Sequence, residues 1–321
     1  MKGHVFVTGV AGFIGSHLAE ALLAEGHEVV GVDALTPYYA PAQKQANLAG
    51  LRGRPGFRFV EGDLSSVGLD GWLAGAAAVF HQAAQPGVRA SWGADFATYV
   101  HHNVLATQQL LEACVRAGVP RLVAASSSSV YGDAPTYPTT EESTTRPVSP
   151  YGVTKLAGEH LCLAYAQPAV SSMTVATLRY FTVYGPRQRP DMGFRRFFEA
   201  AYRGRPITVY GDGEQTRDFT FVADVVRANL LAMHAPIRAE AVNVGGGRRV
   251  TLNEVLELVG QAAGRKLEIV REPARPGDAR HTGADGTRAE ALLGYRPEVG
   301  LEEGLAAQAA WVADRQRLGV T

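Results

Sequence analysis

The chain has 321 residues, 46% hydrophobic and 19% charged, enough for one large α/β unit or two closely joined lobes around a buried core. Lys+Arg and Asp+Glu cancel at 31 each, so no global field recruits nucleic acid or an anionic membrane. An anionic ligand then has to be held by local arginines.

Residues 5–23 are fairly apolar, but Gly9, Gly12 and Gly15 punctuate them and His17 and Glu20 interrupt them. They lack the roughly 18 unbroken apolar residues of a membrane span and the basic lead-in of a secretory leader. A cytoplasmic enzyme is the default expectation. Along the first half, short runs at 5–7, 29–32, 57–60, 79–81 and 122–124 read as buried strands. Residues 14–24, 95–117 and 151–165 carry apolar side chains at helical spacing. This alternation predicts an α/β fold, a doubly wound parallel sheet of the Rossmann type. After a further strand at 175–178 the rhythm breaks at Pro186, Pro190 and Pro206, Gly211-Asp212-Gly213 and Gly245-Gly246-Gly247. Residues 1–181 are therefore expected to form a dinucleotide-binding domain, and 182–321 a smaller substrate-binding lobe. A strand at 241–244 is a candidate to return to the main sheet. Cys114 and Cys162 sit in helix-like patterns and are expected as reduced core thiols.

Gly9, Gly12 and Gly15 follow the first strand and head the first helix. Glycine suits that turn because a pyrophosphate must approach the backbone closely, and the helix N-terminus offers free N–H groups. Asp33, at the end of the second strand, can accept hydrogen bonds from both ribose hydroxyls and would repel a 2′-phosphate, which favours NAD over NADP. Phe13, Ile14 and Leu64 belong to the same expected cofactor site. Asp63 reads either as an adenine contact or as a simple cap.

Tyr151 and Lys155 are four residues apart in a helix-forming stretch, which puts both on one face. A tyrosine titrates near ~10, and a nearby ammonium lowers that value toward the range useful for acid–base work. The strand at 122–124 runs into Ser126-Ser127-Ser128-Ser129, at the end of the sheet where ligands bind. Ser127 is the preferred third catalytic group, although Ser128 and Ser129 stay open as the hydroxyl nearest the reacting oxygen.

The glycine pattern, Asp33, His81-Gln82-Ala83-Ala84, Ser128-Ser129-Val130-Tyr131-Gly132, Tyr151/Lys155 and Arg179-Tyr180-Phe181 together resemble the extended short-chain dehydrogenase/reductases, and among them the nucleotide-sugar 4-epimerases. Gln85-Pro86-Gly87-Val88-Arg89, Thr182-Val183-Tyr184-Gly185-Pro186 and Arg189-Pro190-Asp191-Met192 look most like the UDP-glucuronate 4-epimerases. The resemblance implies tightly held NAD, contacted also by Gln82, Ala83 and Ala84. It implies a hydride leaving sugar C4, a proton passing to Tyr151, a 4-keto sugar that turns in the pocket, and hydride return to the other face.

A 4-keto uronate is prone to lose CO2, so its carboxylate has to be held; Ser128, Ser129, Thr182 and Arg189 are the candidates. Val209, Tyr210, Arg217, Arg275 and Asp278 match the family's nucleotide pocket, with both arginines expected on the diphosphate. Arg89 reads equally as substrate contact or structural residue, and Asn103 equally as helix support or sugar contact. Ser128-Ser129 stands where 4,6-dehydratases carry an Asp-Glu pair, and decarboxylases place a Glu at Ser129, which counts against both. UDP-glucose/galactose 4-epimerisation is the alternative reading, and a non-catalytic NAD sensor is the alternative of another class. Helices 95–117 and 151–165 are apolar on more than one side, which fits the family's homodimer through a four-helix contact.

Overall fold

The computed structural model describes residues 3–273 and 279–317. Its first part alternates β1 (Val5–Thr8), α1 (Phe13–Ala24), β2 (Val29–Asp33), α2 (Pro41–Ala49), β3 (Phe57–Glu61), α3 (Leu69–Leu73) and β4 (Ala78–His81). It continues through α4 (Phe96–Val100), α5 (Ala106–Ala117), β5 (Arg121–Ser127), α6 (Pro150–Tyr165) and β6 (Thr174–Tyr180). β1 and β4 are buried at every position and the inner part of β5 nearly so. Strands covered on both faces read as continuous apolar runs, and these pair in parallel.

Beyond residue 181 come β7 (Val183–Tyr184), α7 (Gly193–Arg203), β8 (Ile207–Tyr210), β9 (Thr216–Asp218), β10 (Thr220–Phe221), α8 (Val222–His234) and β11 (Ala239–Val244). The chain ends through β12 (Arg249–Thr251), α9 (Leu252–Ala263), β13 (Ile269–Glu272), α10 (Thr287–Leu293) and α11 (Leu301–Arg317). β11 pairs in parallel with β6, so the main sheet has seven strands in the order β11-β6-β5-β4-β1-β2-β3. One face is covered by α1 and α8 through Leu18, Leu22, Val225 and Val226, the other by α5 and α6 through Leu110, Leu111 and Cys162. A separate core of Tyr184, Phe194, Phe198, Val255 and Leu305 holds α7, α9 and α11 together. Cys114 and Cys162 are free and buried. No helix among the described residues is long and apolar enough to cross a membrane.

Strand order reverses between β1 and β4, and a crevice opens there at the carboxyl ends of the strands. Gly9 follows β1 directly, and Ser127 ends β5, one strand beyond β4 at the same end of the sheet. The helix expected over 95–117 is interrupted: a π-helical turn, His101–Leu105, joins α4 to α5. Within that turn Asn103 is buried, and its amide bonds the Gln85 N–H (2.7 Å), the Gln85 carbonyl (3.0 Å) and the Thr154 hydroxyl (3.0 Å). Hydrophobic spacing does not register such an insertion, which follows from long-range polar partners. The bonds make Asn103 a structural clamp.

Candidate active site

The crevice holds two adjoining cavities. The first is lined by Gly9, Gly12, Phe13, Ile14, Gly15, Asp33, Asp63, Leu64, Gln82, Ala83, Ala84, Tyr151 and Lys155, so every cofactor-site residue expected from sequence faces one space. A Cβ on Gly9, whose φ is +69°, would lie 2.8 Å from the Ala83 nitrogen; one on Gly15 would lie 2.2 Å from the Gly9 carbonyl oxygen. Both positions exclude any other residue. No side chain caps the start of α1, which leaves its first N–H groups to a ligand. Asp33 accepts hydrogen bonds from the N–H groups of Ala11 (3.0 Å) and Leu35 (2.8 Å), which fix its carboxylate.

Lys44, on α2, was missed by the sequence reading. Its Nζ lies 3.6 Å from Asp33 and donates to Thr36 at 3.1 Å. Its signal was a helix starting with proline soon after the second strand. Uncapped N–H groups, glycines at the close approach and an anchored carboxylate together fit a dinucleotide without a 2′-phosphate. Asp33→Ala is expected to weaken NAD binding by about ten- to a hundredfold, the range for losing hydrogen bonds to a charged acceptor. Titration of folded, NAD-depleted protein checks this, and unchanged affinity would remove Asp33 from the ribose.

Asp63 and its neighbours form a feature of their own. Ser65 donates to Asp63 from its N–H (2.8 Å) and hydroxyl (2.7 Å), and His101 and His102 face the same carboxylate. Despite partial burial, these groups hold Asp63 below the usual carboxylate range.

Tyr151 and Lys155 lie on α6, started by Ser149, whose Oγ accepts from the Gly152 N–H, and by Pro150 in its first turn. The Tyr151 ring packs edge-on against Tyr99, 6.3 Å between centroids, and Tyr99 is tied to the Pro86 and Gly87 carbonyls. Burial pushes the Tyr151 phenol above its ordinary value, while the Arg189 guanidinium and a hydrogen bond with Ser127 pull it down. Arg189 thus adds a second cation toward the phenol beside the Lys155 expected from the sequence. Lys155 donates to the Ala125 carbonyl at 2.7 Å, and burial lowers it to about 8.

The serines divide by partner. Ser126 donates to Glu159 (2.6 Å), Ser127 meets Tyr151, and Ser128 and Ser129 face the second cavity. That cavity also receives Arg89, Thr182, Arg189, Val209, Tyr210 and Arg217. Arg189 grips Asp191 through two bonds of 2.9 and 3.0 Å, and Tyr38 donates to the same carboxylate. The loop beneath is pinned to α1: Arg187, with φ +65°, bonds both Glu20 oxygens, and the Pro186 carbonyl meets His17. Arg89 lies over the Tyr210 ring, 5.3 Å from its centre. Arg217 donates to the Thr216 and Arg280 carbonyls. Arg280, also unanticipated, lines the cavity, donates to Asp212 at 2.7 Å and is anchored by its own N–H to Asp133. Arg275 and Asp278 lie outside the described residues.

Residues 5–245 match the model of the NAD dependent epimerase/dehydratase family. The chain belongs to that family. A Bacillus subtilis relative named an uncharacterised UDP-glucose epimerase is 41% identical over 314 residues, covering 96% of this chain and 98% of the relative. The UDP-glucuronic acid 4-epimerase of Bacillus cereus, solved with UDP-glucuronic acid and NAD, is 39% identical with a TM-score of 0.93, covering 97% of this chain and 99% of that one. MoeE5, solved with the same two ligands, is 47% identical with a TM-score of 0.88 and the same coverages. Within the epimerase/dehydratase family, then, this NAD-dependent enzyme is similar to proteins that act on or bind UDP-sugars.

Proposed function

We propose that this enzyme interconverts UDP-glucuronate and UDP-galacturonate by inverting C4 through a transient 4-keto sugar. The observation that carries the reading is the meeting of Tyr151, Ser127 and Arg189 where the cofactor cavity adjoins the larger one, which Ser128, Ser129 and Thr182 also line. Bound NAD supplies the acceptor, and then the donor, of the C4 hydride. Tyr151, as phenolate, takes the C4 hydroxyl proton as the ketone forms and returns it when the ketone is reduced. Ser127 bonds the same oxygen, and Lys155, one turn along α6, favours the phenolate together with Arg189. Ser128, Ser129, Thr182 and Arg189 hold the carboxylate in the sugar plane, so that the bond to it stays out of line with the ketone π system and CO2 is retained. Arg89, Val209, Tyr210 and Arg217 receive the nucleotide, and Arg275 and Asp278 complete that site from the segment outside the described residues. In this reading, residues 1–181 hold the cofactor and 182–321 chiefly the substrate, with β11 closing the cofactor sheet.

Proton NMR of the products from UDP-glucuronate and UDP-glucose tests the assignment. Turnover of UDP-glucose alone would establish hexose epimerisation, the reading favoured by the name of the Bacillus subtilis relative. NAD bound without turnover of either sugar would point to a sensor. Thr182→Asn is expected to lower kcat/KM for the uronate about tenfold more than for the hexose, because one hydrogen bond to a carboxylate is worth about 1.5–3 kcal/mol. Equal losses measured for the two sugars would undo the carboxylate assignment.

The enzyme is further proposed to act in the cytoplasm as a homodimer. Trp92, Phe96, Val148 and Val153 form an exposed apolar cluster spanning the approach to α4 and the start of α6. Light scattering on the eluting full chain is expected to give twice the monomer mass, and Val153→Glu to shift it toward one. A monomer at micromolar concentration in the unaltered protein would dismiss the dimer.

A further inference from the structure

Beside the cofactor cavity, the π-helical turn places two consecutive histidines next to one carboxylate. His101 Nε2 lies 3.5 Å from one Asp63 oxygen and His102 Nδ1 lies 3.6 Å from the other. One ligating atom from each of the three residues falls within 4.8 Å of the others. In a regular α-helix neighbouring side chains point about 100° apart. Within this π-helical turn the two rings nevertheless approach, with centroids 4.7 Å apart and planes near perpendicular at 80°. Two ligands on a tetrahedral zinc ion, each bound at about 2.0–2.1 Å, stand about 3.3 Å apart. Each histidine lies within a few tenths of an ångström of that spacing from one Asp63 oxygen, and small side-chain shifts would bring the three ligand atoms, now within 4.8 Å of one another, onto one ion. Ser65 supplies what an outer shell supplies to a ligating carboxylate, two short bonds that fix its plane. All three side chains are partly exposed, which leaves water to complete the coordination.

We propose that Asp63, His101 and His102 form a binding site for a divalent cation of the zinc class, and that a cation bound there opposes NAD. Two imidazoles and one carboxylate are ligands suited to zinc rather than to magnesium or calcium, which prefer oxygen. The antagonism rests on the reading that Asp63 contacts the adenine. Asp63 and His102 both line the cofactor cavity, so a cation claiming that carboxylate withdraws it from the cofactor and adds its own ligands to the space. By linkage the effect is reciprocal: NAD must weaken zinc by the same factor that zinc weakens NAD.

The test uses the full chain, as purified and after removal of bound NAD, with zinc chloride and cobalt chloride as probes. Isothermal titration of the NAD-free protein is expected to show one zinc per chain, and cobalt to give the visible absorption of a four- or five-coordinate ion. His101→Gln, a residue outside the cavity lining, is expected to weaken zinc at least tenfold while keeping basal turnover. Zinc is expected to inhibit the unaltered enzyme, and added NAD to relieve that inhibition. Equal zinc affinity in the two proteins, or no stoichiometric binding, overturns the site. Binding that depends on His101 but is indifferent to NAD overturns the antagonism alone. Failure of the protein to bind NAD without zinc would instead be a failure of the cofactor reading, seen in a separate titration.

Discussion

Tyr151→Phe is expected to lower kcat by about 10²–10⁴-fold while leaving NAD bound, the range for removing a positioned acid–base group. The substitution deletes one oxygen and keeps the ring that packs edge-on against Tyr99. Binding contacts elsewhere in the cofactor cavity are untouched, so lost turnover with retained cofactor isolates the proton step. The pH profile carries a second sign. Burial holds the phenol above its ordinary value, so its base form is scarce at neutral pH and grows as pH rises. Turnover of the unaltered enzyme is therefore expected to climb from pH 6 toward pH 8, and the residual rate of the variant to stay flat. A variant rate near that of the unaltered enzyme, or the same pH slope in both, would take Tyr151 out of its role.

The roles that spacing could reveal are those whose partners lie close along the chain. Glycines at fixed intervals after a strand, a carboxylate at the end of the next strand, and a tyrosine one turn before a lysine are local patterns. Their residues do line one cavity. What spacing could not reveal depends on contacts across long separations. Lys44 reaches Asp33 from the following helix, α2, a contact that the spacing of the strand residues does not contain. Arg280 is fixed by Asp133, 147 residues earlier. Arg189 is brought toward the phenol by a loop pinned by Arg187 and Glu20 on α1. Asn103, evenly balanced from sequence, is decided by three polar bonds that a helical wheel does not contain. The resemblance brought Arg179 and Tyr131 to attention as motif residues, but their physical task emerges only in three dimensions.

That task sets the largest expected effect on stability. Glu159 is fully buried beneath the site and Arg179 nearly so, joined by bonds of 2.6 and 3.0 Å. The same carboxylate accepts from Ser126 at 2.6 Å, and Arg179 donates to the Tyr131 hydroxyl, which in turn donates to Asn243 at 2.7 Å. The chain of bonds ties α6, which carries Tyr151 and Lys155, to the ends of β5, β6 and β11. Glu159→Ala leaves the guanidinium buried and uncompensated, and is expected to cost about 3–5 kcal/mol in urea unfolding. Removing both charges, as in Glu159→Leu with Arg179→Leu, is expected to cost less than the single change, since no buried ion is left behind. The comparison separates a true ion-pair effect from mere loss of volume, because the second substitution truncates more atoms yet restores stability. A single variant within about 1 kcal/mol of the unaltered protein, a range ordinary for substitutions without a special mechanism, would show that water reaches Arg179 and that the network does not hold the site together.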